Sequence, residues 1–140
     1  PRVDRGAMHP MLCESLMFPS CWSRTPGFAW EPVDGHTARL HIPFEAGSEV
    51  ATVGFDTRTG FPTTFETMRF KGKDGPKVRW RITMHDWRQF GAVAIPERIL
   101  VRWADEPGPW LMMRFERVTL GVELDEPLTR ARAAIAAASG

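Results

Sequence analysis

From Val78 to His85 apolar and polar residues alternate without a break, with Val78, Trp80, Ile82 and Met84 set against Arg79, Arg81, Thr83 and His85. A strand places successive side chains on opposite faces, so this stretch is expected to be dry on one face and wet on the other. The alternation returns in Ile99, Val101 and Trp103. Between the two runs lies Gln89 to Pro96, where Gly91 can take a positive φ and Pro96 has no N–H to give to a ladder, so the chain is expected to reverse there. Residues 77–103 thus read as a hairpin. They hold no nucleophile motif, metal box or phosphate loop, so the hairpin constrains architecture and leaves function open.

The rest of the chain repeats the same grammar. TPGFAWEPVDG places Phe28 and Trp30 on one face of a short edge strand, closed by Pro32 and the turn signal Asp34-Gly35. His36 to Phe44 alternates Ala38, Leu40, Ile42 and Phe44 with Thr37, Arg39 and His41, and Ala46-Gly47-Ser48 supplies a turn. Val50 to Asp56 follows, and after Thr59-Gly60 the Thr- and Phe-rich FPTTFETMRF suits a half-buried pleated surface. After Asp105-Glu106-Pro107-Gly108-Pro109 a last strand is expected from Trp110 to about Leu124. Its apolar phase shifts between Phe115 and Val118, which predicts a β-bulge at Glu116-Arg117. Short helices are expected at the two ends: Pro10 to Met17, stopped by Pro19, and a tail begun by Asp125 and Pro127 and anchored by Leu128, Ile135 and a few alanines.

About seven strands with short connections imply antiparallel neighbours. The expected class is α+β, mainly β: a curved antiparallel sheet whose concave face is covered by short N- and C-terminal helices. With 140 residues, 43% of them hydrophobic, the chain reads as one domain with a real core. Eighteen Lys and Arg against seventeen Asp and Glu leave a net charge of +1, which gives no overall field to gather nucleic acid or an anionic membrane. No apolar run suits a membrane span, and PRVDRGAMHP is not a signal peptide. The start at Pro1 suggests the C-terminal part of a longer chain, so cytoplasm and cell envelope both stay open as locations. Cys13 and Cys21 read as two small buried thiols, with pairing across Phe18-Pro19-Ser20 as the other option.

Candidates for chemistry are few. The four histidines are His9, His36, His41 and His85; His36 and His41 are five apart in one strand, hence on opposite faces, and no Cys or His lies at tight ligand spacing to either, so no metal site and no cofactor is expected. His85 and Asp86 are adjacent and point apart in a strand, which argues against a catalytic dyad. Glu31, Glu66, Asp86 and Glu116 could supply a carboxylate pair for hydrolysis, as could pairs in any chain with this many acids.

More informative are six Trp, nine Phe and seven Met with no Tyr. Trp80, Met84, Trp103, Met113 and Phe115 would line one sheet face. Large soft side chains normally fill a core; the sharper alternative is that they hold an apolar ligand. Trp residues beside Arg88 and Arg102 could stack sugars or bases, but interleaved basic residues are more often a solvated face.

The sequence D-W-R-Q-F-G-A-V-A-I-P at Asp86 to Pro96, followed by Val101 and Trp103, resembles a bacterial family of uncharacterised β-rich proteins that carry D-Y-R-x-x-G-G-x-x-I-P. E-x-x-x-F-P at Glu14 to Pro19 and W-E-P at Trp30 to Pro32 extend the likeness. Trp87 stands where that family usually has Tyr, and Ala92 replaces the second Gly. The strand pattern is also similar to the half-barrels of lipoprotein carriers and related lipid-binding proteins, which implies a sheet wrapped round a helix with an apolar cavity between them. The expected function is therefore non-catalytic binding or carriage of an apolar, lipid-like molecule. The alternatives are a structural or interaction domain with a filled core, and a hydrolase using carboxylates or histidine.

Overall fold

Seven strands in chain order build one antiparallel sheet: β1 (Ala29–Pro32), β2 (Thr37–Phe44), β3 (Gly47–Phe55), β4 (Pro62–Phe70), β5 (Lys77–Phe90), β6 (Val93–Trp103) and β7 (Leu111–Arg114). The computed structural model describes residues 25–45, 47–72 and 74–119, together with Ser15, Trp22, Gly121, Thr129, Arg130 and Ala137. Every strand pairs with its neighbours in sequence, so the sheet is a simple meander. It is open, with β1 and β7 as its edges.

Strict alternation fixes the register, because a slip of one residue would carry every apolar side chain to the wet face. One row crosses all seven strands, from Pro32 through Ala38, Val53, Phe65, Ile82 and Val101 to Leu111. Beside it run Leu40, Ala51, Thr67, Trp80 and Trp103. The middle of these two rows, on β2 to β6, forms the heart of the core, and Thr67 is tolerated there because its hydroxyl donates to the Val50 carbonyl at 3.0 Å. Trp22 packs on the same face, 5.8 Å from the ring of Trp30 and 6.3 Å from that of Phe65. On the other face Arg79 and Arg81 stand in solvent, as the alternation requires.

The expected α+β class with short terminal helices, the half-barrel and its covering, is corrected to a mainly β open sheet: no helix is among the elements of the described residues. The terminal helices rest on capping signals and propensity, which carry less weight than the alternation that marks the strands. Most of the residues read as helical, 10–17 and in the tail 125–140, lie outside the described ones, as do His9, Cys13 and Cys21.

Three local expectations also change. The last strand stops at Arg114, so the phase shift near Glu116 marks where the chain leaves the sheet, after one last bond from the Phe115 N–H to the Glu97 carbonyl at 2.8 Å. The irregular register lies instead in β3, between Gly54 and Phe55. The central hairpin turns on Gly91 and Ala92 alone, with Gly91 at φ 58°, and Pro96 sits inside β6 opposite Trp87. The β6–β7 pairing reaches no further than Arg98, so the missing N–H of Pro96 denies nothing to β7. No helix among the described residues is long and apolar enough to cross a membrane.

Candidate functional site

The five large side chains expected to share a face do so. Trp80, Met84 and Trp103 are buried, while Met113 and Phe115 are partly buried against the same cluster. The register explains the grouping: Trp80 lies opposite Trp103, and Met84, Ile99 and Met113 form one row over β5, β6 and β7. The two indoles are tilted, 6.2 Å apart. At the β4 end of this patch the Arg69 guanidinium lies 4.7 Å from the Trp80 ring and 5.4 Å from that of Trp103, with the Lys71 ammonium 5.6 Å from the latter. Cations over indole faces are attracted by the ring quadrupole. Trp80 is only 2% exposed, and its indole N–H has no hydrogen-bond acceptor among the described residues. Buried donors are nearly always paired, so this one stands out.

The outer face is polar and mostly charge-matched. One row runs Glu31, Arg39, Thr52, Glu66, Arg81, Arg102 across β1 to β6. Glu31 binds both Arg39 (2.9 Å) and His41 (3.0 Å); the His41 hydrogen bond first, and the Arg39 charge second, hold its carboxyl below the usual range. Glu66 accepts from Arg81 at 2.7 Å and lies 3.5 Å from Arg79. These residues, with Arg102 and Ala104, line a shallow hollow of about 230 Å³.

A second hollow lies beside Asp86, lined also by Glu97, Arg98, Met112 and Arg114. Its charges pair off: Asp86 with Arg98 at 2.9 Å, and Glu97 with Arg114 at 3.1 Å and with Arg88 at 3.2 Å. Asp86 has φ 57° in the middle of β5, a left-handed conformation that Asp tolerates better than most residues. Sequence reading missed this, because alternation assumes an unbroken extended backbone.

The candidates for acid or base chemistry are dispersed. His85 bonds the Thr83 hydroxyl (3.2 Å) while Asp86 turns to Arg98, so the adjacent pair makes no dyad with each other. His36 pairs with Asp34 at 3.2 Å at the β1–β2 turn. Of the four carboxylates singled out, Glu31, Glu66 and Asp86 are each tied to arginine, and Glu116 is exposed beyond β7. The His41–Glu31 contact was hidden from sequence because it depends on the β1–β2 register. Among the described residues no group of three or more His, Cys, Asp or Glu could hold a metal ion.

Residues 1–115 match the Family of unknown function (DUF6544), and the chain belongs to that family. No curated protein and no solved structure matches it. Nothing in these comparisons supports kinship with lipoprotein carriers.

Proposed function

We propose that this member of a family of unknown function binds a mostly apolar molecule, without chemistry, against the inner face of β5, β6 and β7. The observation that carries the reading is the Trp80 N–H, a buried donor with no acceptor among the described residues, in an apolar patch rich in Met, Trp and Phe side chains. A ligand with an apolar body and one acceptor atom would meet that donor while resting on Met84, Trp103, Met113 and Phe115. Thioether and indole side chains suit such a role, because they are polarisable and adapt to irregular shapes. The nearby Arg69 guanidinium favours an acceptor that carries negative charge, as a fatty carboxylate does.

Fatty acids, phospholipids and a fluorescent apolar dye, titrated into the protein, test the reading. Saturable binding with a rise in melting temperature is expected, because a ligand that prefers the folded state stabilises it by mass action. Trp80→Phe keeps an aromatic ring and removes the donor, so it should weaken fatty-acid binding more than dye binding. Met84→Trp or Met113→Trp should fill the space and weaken both. Absence of saturable binding across the panel would sink the proposal and leave a filled core.

A further inference from the structure

The outer face holds a site of different chemistry, opposite the apolar patch and independent of it. Arg81 and Arg102 are direct cross-strand partners on β5 and β6, an arrangement in which like charges oppose each other. Arg79 stands two residues away on the same face, and all three arginines line the hollow of about 230 Å³. One carboxylate answers them: Glu66, engaged by both Arg79 and Arg81.

The acids of the next turn do not help Arg102. Asp105 and Glu106 are drawn to Lys71, at 3.0 and 2.7 Å, which leaves Arg102 only the backbone carbonyl of Glu106 at 3.3 Å. Arg102 has no carboxylate partner among the described residues. Three positive charges against one negative leave the hollow with a local excess of two. On the rest of the outer face Arg39 has Glu31, Arg98 has Asp86, and Arg88 and Arg114 share Glu97, so the excess there is one.

We infer that the Arg79–Arg81–Arg102 hollow binds a phosphoryl group. A dianionic oxyanion matches the excess of two charges, which a single carboxylate would halve. Guanidinium forks pair with phosphate oxygens bidentately, and Arg102 and Arg81 are placed to do so from neighbouring strands. Because the larger excess sits in one concave spot flanked by Glu66, it suits a compact anion better than an extended acidic surface or a nucleic-acid backbone. The phosphoryl group could belong to a soluble phosphate ester or to a phospholipid headgroup, and these share the chemistry recognised.

The test titrates the full chain with inorganic phosphate by calorimetry at constant ionic strength, with chloride as the balancing anion. Saturable one-to-one binding is expected, weakened at least tenfold by Arg102→Gln and by Arg81→Gln and unchanged by Arg88→Gln, whose guanidinium already has Glu97. Arg102→Gln should fold normally, because it relieves a like-charge pair, and phosphate should raise the melting temperature of the wild type but not of this variant. Vesicles of phosphatidic acid in phosphatidylcholine distinguish the sources. Vesicle capture that free phosphate competes away identifies a headgroup; phosphate binding without vesicle capture identifies a soluble ester; either supports the site. No saturable binding of phosphate, or equal binding by wild type and Arg102→Gln, overturns it.

Discussion

The ring of Trp87 is stacked on that of Phe61, 4.6 Å apart and within 10° of parallel, while its indole N–H donates to the Pro62 carbonyl at 2.9 Å. Trp87 is odd-numbered, whereas the buried residues of β5 up to Met84 are even-numbered, and it still packs against the core. The residue between them, Asp86, sits in the left-handed region. That one backbone conformation lets the core-facing phase of β5 change without a change in its pairing register with β6.

Two substitutions separate the stack from the hydrogen bond. Trp87→Phe keeps an aromatic ring over Phe61 and strands the Pro62 carbonyl, which should cost about 0.5–1.5 kcal/mol in urea titrations. A double-mutant cycle of Phe61→Ala and Trp87→Ala should return a coupling of about 0.5–1.5 kcal/mol for the stack. A coupling near zero would mean that the rings merely abut.

Asp86 should be replaceable by residues that accept positive φ. Asp86→Asn loses only a partly solvated ion pair with Arg98, for which about 0–1 kcal/mol is expected. Asp86→Val keeps the chain but penalises the left-handed geometry by about 1–2 kcal/mol more. Equal stabilities for the two variants, read from urea midpoints, would show that β5 can relax at this point.

Alternation made the strands legible because burial on one face leaves a direct trace in sequence: Trp80, Ile82 and Met84 are buried as their spacing requires. The grouping of Trp80, Met84, Trp103, Met113 and Phe115 followed from the same signal. What could not be read were features set by single backbone torsions or by register. The left-handed Asp86, the two-residue turn at Gly91-Ala92 and the Arg81–Arg102 opposition belong to that class. Hydrophobic runs mislead where a strand ends, as after Arg114, because an apolar phase does not say whether a pairing partner is present. The orphaned Trp80 donor was equally invisible, since satisfaction of a hydrogen bond is a property of neighbours in space.

The core should answer to volume at Trp80. Trp80→Ala empties a large buried aromatic site and should cost about 3–5 kcal/mol. Trp80→Phe should cost much less, since the N–H it deletes makes no hydrogen bond among the described residues. If Trp80→Phe were as damaging as the truncation in urea titrations, the N–H would have a partner in solution.

Gly54 tests the irregular register of β3. A Cβ there would lie 2.5 Å from the Thr64 hydroxyl, on the residue paired with it. Gly54→Ala should therefore destabilise by about 1–3 kcal/mol through overpacking. Adding Thr64→Ala removes the clashing oxygen and should recover part of that loss. No recovery in the double variant would place the demand for glycine in the backbone.

The pH dependence of stability should have two limbs of opposite sign. On the acid side, hydrogen bonds and charges hold the carboxyls of Glu31, Asp34 and Asp56 below their ordinary values. A lowered folded value means that the unfolded chain takes up protons first, so this stabilisation is complete above the ordinary carboxylate range of about 4 and is lost as pH falls through the folded values. On the alkaline side, hydrogen bonds to Glu106 first and Asp105 second raise the Lys71 ammonium above its ordinary value. Here the sign reverses: the contribution is complete below the unfolded value of about 10.4 and is lost as pH rises through the folded one. The chain has no tyrosine and only Lys71, Lys73 and Lys77 as lysines, so few groups besides the two cysteines compete in that window. Urea midpoints measured against pH should therefore show an alkaline decline that Lys71→Met flattens, and an acid decline that Glu31→Gln reduces. Both contributions come from exposed groups and should shrink in high salt. An alkaline limb identical in wild type and Lys71→Met would remove the Lys71–Glu106–Asp105 cluster as a stabilising contact in solution, and with it the reason that Arg102 lacks an acidic partner.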